Sequence, residues 1–172
     1  MFTWAIGKSW LVKLSGALLA AALAAGLALA PAYAAAPAAA AERPAPTLED
    51  LYQREQNWLT VQTTSLTTAN SIAVNVQAWI DTLKSIGKDT TDLEAALVTF
   101  NSAVATAQTS HDAAANTLAA HTGFDANGAV TDRTQAAATL RSAYDSLQAA
   151  HLTLVGAVAN LRLAVRTWRL NH

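Results

Sequence analysis

The chain has 172 residues, enough for one domain, with 52% hydrophobic residues, 13% charged residues and a formal net charge of −1. Cysteine is absent, so disulfides and thiolate chemistry are excluded and buried apolar surface has to supply the stability. The low positive charge disfavours a phosphate-tracking surface, and with it nucleic acid as a partner.

The first segment reads as a bacterial-type leader. Lys8 and Lys13 give a positive start, Leu14 to Ala30 form an uncharged apolar run, and Ala32-Tyr33-Ala34 supplies a small-x-small cleavage pattern. A cut after Ala30 would place Pro31 directly behind it, so cleavage after Ala34 is favoured and residues 1–34 are a signal peptide. The competing reading is a retained anchor. The run is rich in Ala and Gly and a little short of the ~20 apolar residues that a span needs. The expectation is a secreted protein, periplasmic or extracellular, without a membrane span after cleavage. Lys8 and Lys13 leave with the leader, so 9 of the 11 basic residues face all 12 acidic ones.

Residues 35–46 are built from Ala and Pro and read as a flexible tether. Pro44 and Pro46 bar a helix there, because each disfavours the α conformation in the residue before it. Order is expected from Thr47, whose hydroxyl can cap the first amides while Asp50 reaches back.

Three helices follow, over about 48–86, 91–121 and 132–170. The first carries apolar residues three and four apart at Leu48, Tyr52, Leu59, Leu66, Ala69, Ala73, Val76, Ile80 and Leu83. A second row at Trp58, Ile72, Trp79 and Ile86 widens the stripe. Thr60 to Thr68 is rich in β-branched residues and is the least stable stretch, though its helical period continues. Gly87 ends this helix, and Thr91 with Glu94 has capping-box spacing at the start of the next.

The second helix has Leu93, Leu97, Phe100, Val104, Ala107, His111, Ala114 and Leu118 on its seam, and Gly123 closes it. The third has Leu140, Tyr144, Leu147, His151, Leu154, Val158, Leu161, Val165 and Trp168. Similar lengths and short links predict an all-α fold, an elongated antiparallel (up-down-up) three-helix bundle. Folding the chain at its turns puts Trp79 level with Val98 and Val155, and brings Trp168 to the Leu83–Ile86 corner.

The turn from Gly123 to Asp132 resembles the middle of an EF-hand or dockerin calcium loop. Asp125, Asn127 and Gly128 stand at loop positions 3, 5 and 6, and Val130 at the hydrophobic eighth. Gly123 and Thr134 occupy positions 1 and 12, so the first carboxylate and the bidentate Glu are both missing. Turn chemistry explains the same residues: Gly128 takes a positive φ, and Phe124 and Val130 plug the bundle end.

His111 and His151 fall on the seams, which invites a metal or haem reading. Counting from Asn127 sets them several turns apart, with Asp112 pointing elsewhere, so buried structural histidines bonded to Ser, Thr or Asn fit better. No metal site or cofactor is expected; Asp125, Asn127, His111 and His151 are the residues that come nearest to one.

Trp58, Trp79 and Trp168 read as core at helical spacing, and Arg162, Arg166 and Arg169 as a solvated group opposing the helix dipole. No nucleophile elbow, P-loop or dinucleotide fingerprint is present, so no catalytic residue is assigned. The repeated L-T-x-x-Q motif of the Spy and CpxP envelope chaperones is not met: Leu59-Thr60-Val61-Gln62 places its glutamine one residue early, and no second copy follows.

The leading expectation is a non-enzymatic protein presenting a helical surface to a protein or cell-envelope partner. The alternative is a small-molecule or metal-ion binding module using a core histidine or the Asp125–Gly128 turn. A third reading is self-association through the Trp-bearing stripe.

Overall fold

The computed structural model describes residues 45–172; the leader and all but the last two residues of the tether lie outside that range. Among the described residues the fold is all-helical, a bundle of α1 (Leu48–Ser85), α2 (Thr91–Ala119) and α3 (Arg133–Asn171). No strand is present among them, only an isolated bridge between Phe124 and Val130 in the second turn.

Each boundary has a local cause. Thr47 caps α1 with its hydroxyl on the Asp50 N–H at 3.2 Å, and the Asp50 carboxylate accepts the Thr47 N–H at 3.0 Å. The helix ends one residue before the expected limit. Ile86 is its C-cap, donating to Leu83 and Lys84, and Gly87 follows at φ 75°. At the start of α2 the expected Thr91–Glu94 capping box does not form. Thr90 is the N-cap, its hydroxyl donates to Glu94 at 2.6 Å, and Asp89 accepts the Thr91 N–H at 3.0 Å.

The second helix stops at Ala119, short of 121, because His121 turns to φ 52° with its Nδ1 3.3 Å from the Tyr52 hydroxyl. Asp132 lies outside α3 as its N-cap, accepting from Thr134 and Gln135.

The β-branched stretch of α1 is continuous helix. The hydroxyls of Thr60, Thr63, Thr64, Ser65, Thr67 and Thr68 each donate to the carbonyl four residues back, which settles their polarity within the helix.

The seam of α3 differs from the expected one by a small rotation. Tyr144 and His151 are displaced towards its edge, and the positions they were expected to fill belong to Ala143 and Ala150. Alanine and leucine alternate in the buried row Ala136, Leu140, Ala143, Leu147, Ala150, Leu154, Ala157, Leu161, while the expected Val158, Val165 and Trp168 are buried as well, beside Thr139. Opposite it α2 buries Ala107 and Ala114. Small side chains on both sides let these backbones approach closely, and α2 with α3 is the most extensive helix pair of the bundle.

Two apolar clusters result. The larger runs from Leu66 to Trp168 and includes Phe100, Ile80 and Trp79. The smaller joins Tyr52, Leu118, Phe124, Ala136, Leu140 and Ala143 at the second turn. Phe124 stacks on Tyr52 at 4.4 Å, and the Tyr52 hydroxyl donates to the Leu118 carbonyl at 3.0 Å. Gly123 lies so near the Ala136 backbone that a Cβ would overlap it.

Trp79 meets Trp168 edge-on at 5.2 Å, not Val155, and the Trp168 indole donates to the Asp89 carbonyl at 2.7 Å. The level count fails because residues 123–132 fold beside the helices. Thr139 donates to the Thr122 carbonyl, so pairing across this turn is centred later than Asn127. Ile86 is exposed and Trp58 half-buried, whereas Ile72 and Trp79 are core.

The alanine seam predicts that adding apolar volume harms the fold. Ala143→Leu should cost about 1–3 kcal/mol by overpacking, and Leu147→Ala about 2–5 kcal/mol by leaving a cavity, both read from urea midpoints.

Candidate functional site

Between the two apolar clusters the interior turns polar. Gln62 and His111 are buried there, and Glu55 is buried further along α1, between Tyr52 and Leu59 of the smaller cluster. Gln62 donates from Nε2 to the Leu147 carbonyl at 2.9 Å, and its Oε1 has no partner. The ring of His111 sets Nε2 3.0 Å from the Thr63 hydroxyl and 3.3 Å from the Leu59 carbonyl. Its Nδ1 is 3.3 Å from Asp112, which therefore does not point away as expected. Both ring nitrogens already face protein groups.

His151 is half-buried and meets Trp58 edge-on at 6.4 Å, while Tyr144 approaches the same indole at 5.7 Å. The two histidines are therefore not several turns apart. They reach neighbouring residues of α1, His111 from α2 and His151 from α3. Among the described residues no three His, Cys, Asp or Glu side chains gather as a metal site.

In the second turn one oxygen of Asp125 accepts the N–H groups of Asn127 at 2.8 Å and Ala129 at 2.9 Å. Those bonds hold its carboxyl below the usual range, that of Ala129 first. Gly128 sits at φ 82°, Asn127 is exposed, and Glu49 accepts the Val130 N–H at 3.2 Å. The carboxylate thus serves its own loop.

Glu55 is different. It is only 3% exposed, Arg54 is its ion-pair partner at 3.7 Å, and among the described residues its Oε2 has no hydrogen-bond partner. Burial raises its pKa from 4.5, with Arg54 opposing. It lines a groove between α1 and α3, walled by Leu48, Leu51, Leu140 and Tyr144, with Arg54, Arg141 and Asp145 also lining it. The formal charges of these four ionisable groups cancel.

Glu55 and Gln62 did leave a trace in the sequence. Leu48, Tyr52, Glu55, Leu59, Gln62 and Leu66 continue one alternation of fours and threes, so both polar residues fall where the seam requires burial.

No family model, curated protein or solved structure matches the chain. Among the described residues no helix is long and apolar enough to cross a membrane.

The Glu55 carboxylate predicts a pH signature. A raised folded-state pKa penalises the fold progressively from the unfolded value near 4.5 up to the folded one; the penalty is complete above that and absent well below 4.5. Glu55→Gln should be more stable than the parent at neutral pH, and the gap should close on acidification. Urea midpoints of both proteins across the acid range measure it; a gap independent of pH would contradict a desolvated carboxylate.

Proposed function

We propose that the chain is a secreted, non-enzymatic protein whose helices run up, down and up, and which works by holding a segment of another protein in the groove between α1 and α3. The up-down-up course is supported by the Tyr52–Leu118 bond near one end and the Trp168–Asp89 bond near the other. The observation that carries the binding reading is the unpartnered Oε2 of Glu55 beside the apolar side chains of Leu48, Leu51 and Leu140. A buried carboxylate oxygen without a donor costs free energy that a ligand N–H recovers.

Charge complementarity defines the occupant. Arg54 and Arg141 offset Glu55 and Asp145, so the groove favours an uncharged segment that brings apolar side chains and one donor. The histidines do not offer a comparable opening, since those of His111 are engaged and His151 packs on Trp58.

A photocrosslinking side chain at Ala138 tests the reading in the native envelope. It should give one reproducible adduct to an uncharged, mainly apolar segment, lost in Leu51→Arg and absent from the same probe at Thr99. Equal labelling from Thr99, or none at Ala138, would overturn it.

A further inference from the structure

The face of α3 directly opposite its buried seam is not polar. Leu152, Leu163 and Leu170 are 62%, 63% and 77% exposed, and Val155 adjoins them. With Gly156, Ala159 and Arg166 these residues repeat at steps of four and three: 152, 156, 159, 163, 166, 170. Such a second stripe on the outer side of a helix is the pattern of a further helix–helix contact.

Gly156 adds an independent sign. Glycine inside a helix is unfavourable relative to alanine, and a Cβ at Gly156 would meet nothing within 4 Å. The fold of one chain gives no reason for it. A second helix packed against this face does, because glycine admits a close backbone approach.

Charge identifies that helix. Arg162, Arg166 and Arg169 crowd the end of α3, and the helix has no acidic residue after Asp145. Neither Arg166 nor Asp145 takes part in an ion pair among the described residues. A parallel pair of α3 helices, or an antiparallel pair centred on the leucines, gathers the arginines of both copies. An antiparallel pair centred between Val155 and Gly156 keeps Arg162, Arg166 and Arg169 of the two copies apart, with Arg169 of one near Arg141 of the other. It sets Arg166 against Asp145, Leu152 against Ala159, and Gly156 against Val155, with Leu163 reaching Gln148 of the other copy.

We propose that the protein is a homodimer through the outer face of α3, antiparallel and centred at Val155–Gly156. The contact differs from the Trp-bearing stripe of α1, where Trp79 is core and Trp58 is already flanked by Tyr144 and His151. Overlap of residues 141–170 gives a contact ~45 Å long and ~10 Å wide. That covers on the order of 500 Å² per copy, near the lower limit for a specific interface and in the range of weak, reversible contacts. The same pairing brings Arg169 and Leu170 of one copy to Ser142 and Arg141 of the other, at the rim of the groove. Each groove is then bordered by both chains.

Sedimentation of the purified protein over the micromolar range should show reversible doubling of mass. Leu163→Glu should abolish it without loss of helical circular dichroism, since Leu163 is exposed. Arg166→Asp and Asp145→Arg should each weaken association about tenfold, the effect of 1.4 kcal/mol. Their combination should restore it to within about threefold. Gly156→Leu should raise the thermal midpoint of the monomer while removing the dimer. A monomer at all concentrations, or a dimer indifferent to Leu163→Glu, overturns the contact. Single variants that weaken without rescue in the double overturn the antiparallel register. Asp145 also lines the groove, but sedimentation of the purified protein reads the dimer with no guest present, so its failure is distinguishable from that of the groove reading.

Discussion

The close approach of α2 and α3 along their alanines is the constraint from which the rest of the structure follows. Alanine contributes little transfer free energy by itself, but its small side chain allows two backbones to come near enough for the intervening leucines to interdigitate. Leu140, Leu147, Leu154 and Leu161 fill the spaces between Ala136, Ala143, Ala150 and Ala157. The first helix then lies across this pair with a broader and more varied stripe, from Tyr52 to Leu83.

That broader stripe is where polarity enters. Glu55 and Gln62 interrupt α1 at seam positions, and His111 answers from α2. Gln62 finds the Leu147 carbonyl and His111 finds Thr63, so these two have partners inside the bundle. Glu55 lies at the margin, beside the groove, and has one oxygen left over. Gln62 also keeps one oxygen unpartnered, but only that of Glu55 belongs to a residue lining the groove.

The helical class, the three segments and most boundaries were legible in the spacing of large apolar residues and in residues such as Thr47, Gly87 and Gly128. The rotation of α3 was not. Tyr144 and His151 continue the same alternation as Leu140 and Leu147, and bulk draws attention to them, yet alanines one residue earlier occupy the interior. Levels between helices were misjudged for a different reason: a turn ten residues long does not advance along the bundle as a helix does, so Trp79 met Trp168. Glu55 went unread because a charged residue in a seam looks like an interruption until its surroundings are known.

The division of the core has a dynamic consequence. Both clusters draw on all three helices, but the one around Tyr52 and Phe124 is much smaller than the one around Trp79 and Phe100 and is sealed by a turn. Cooperative units of unequal size open with unequal free energies. The end bearing the groove loosens at a lower free energy than the far end, whose packing persists as a fixed handle.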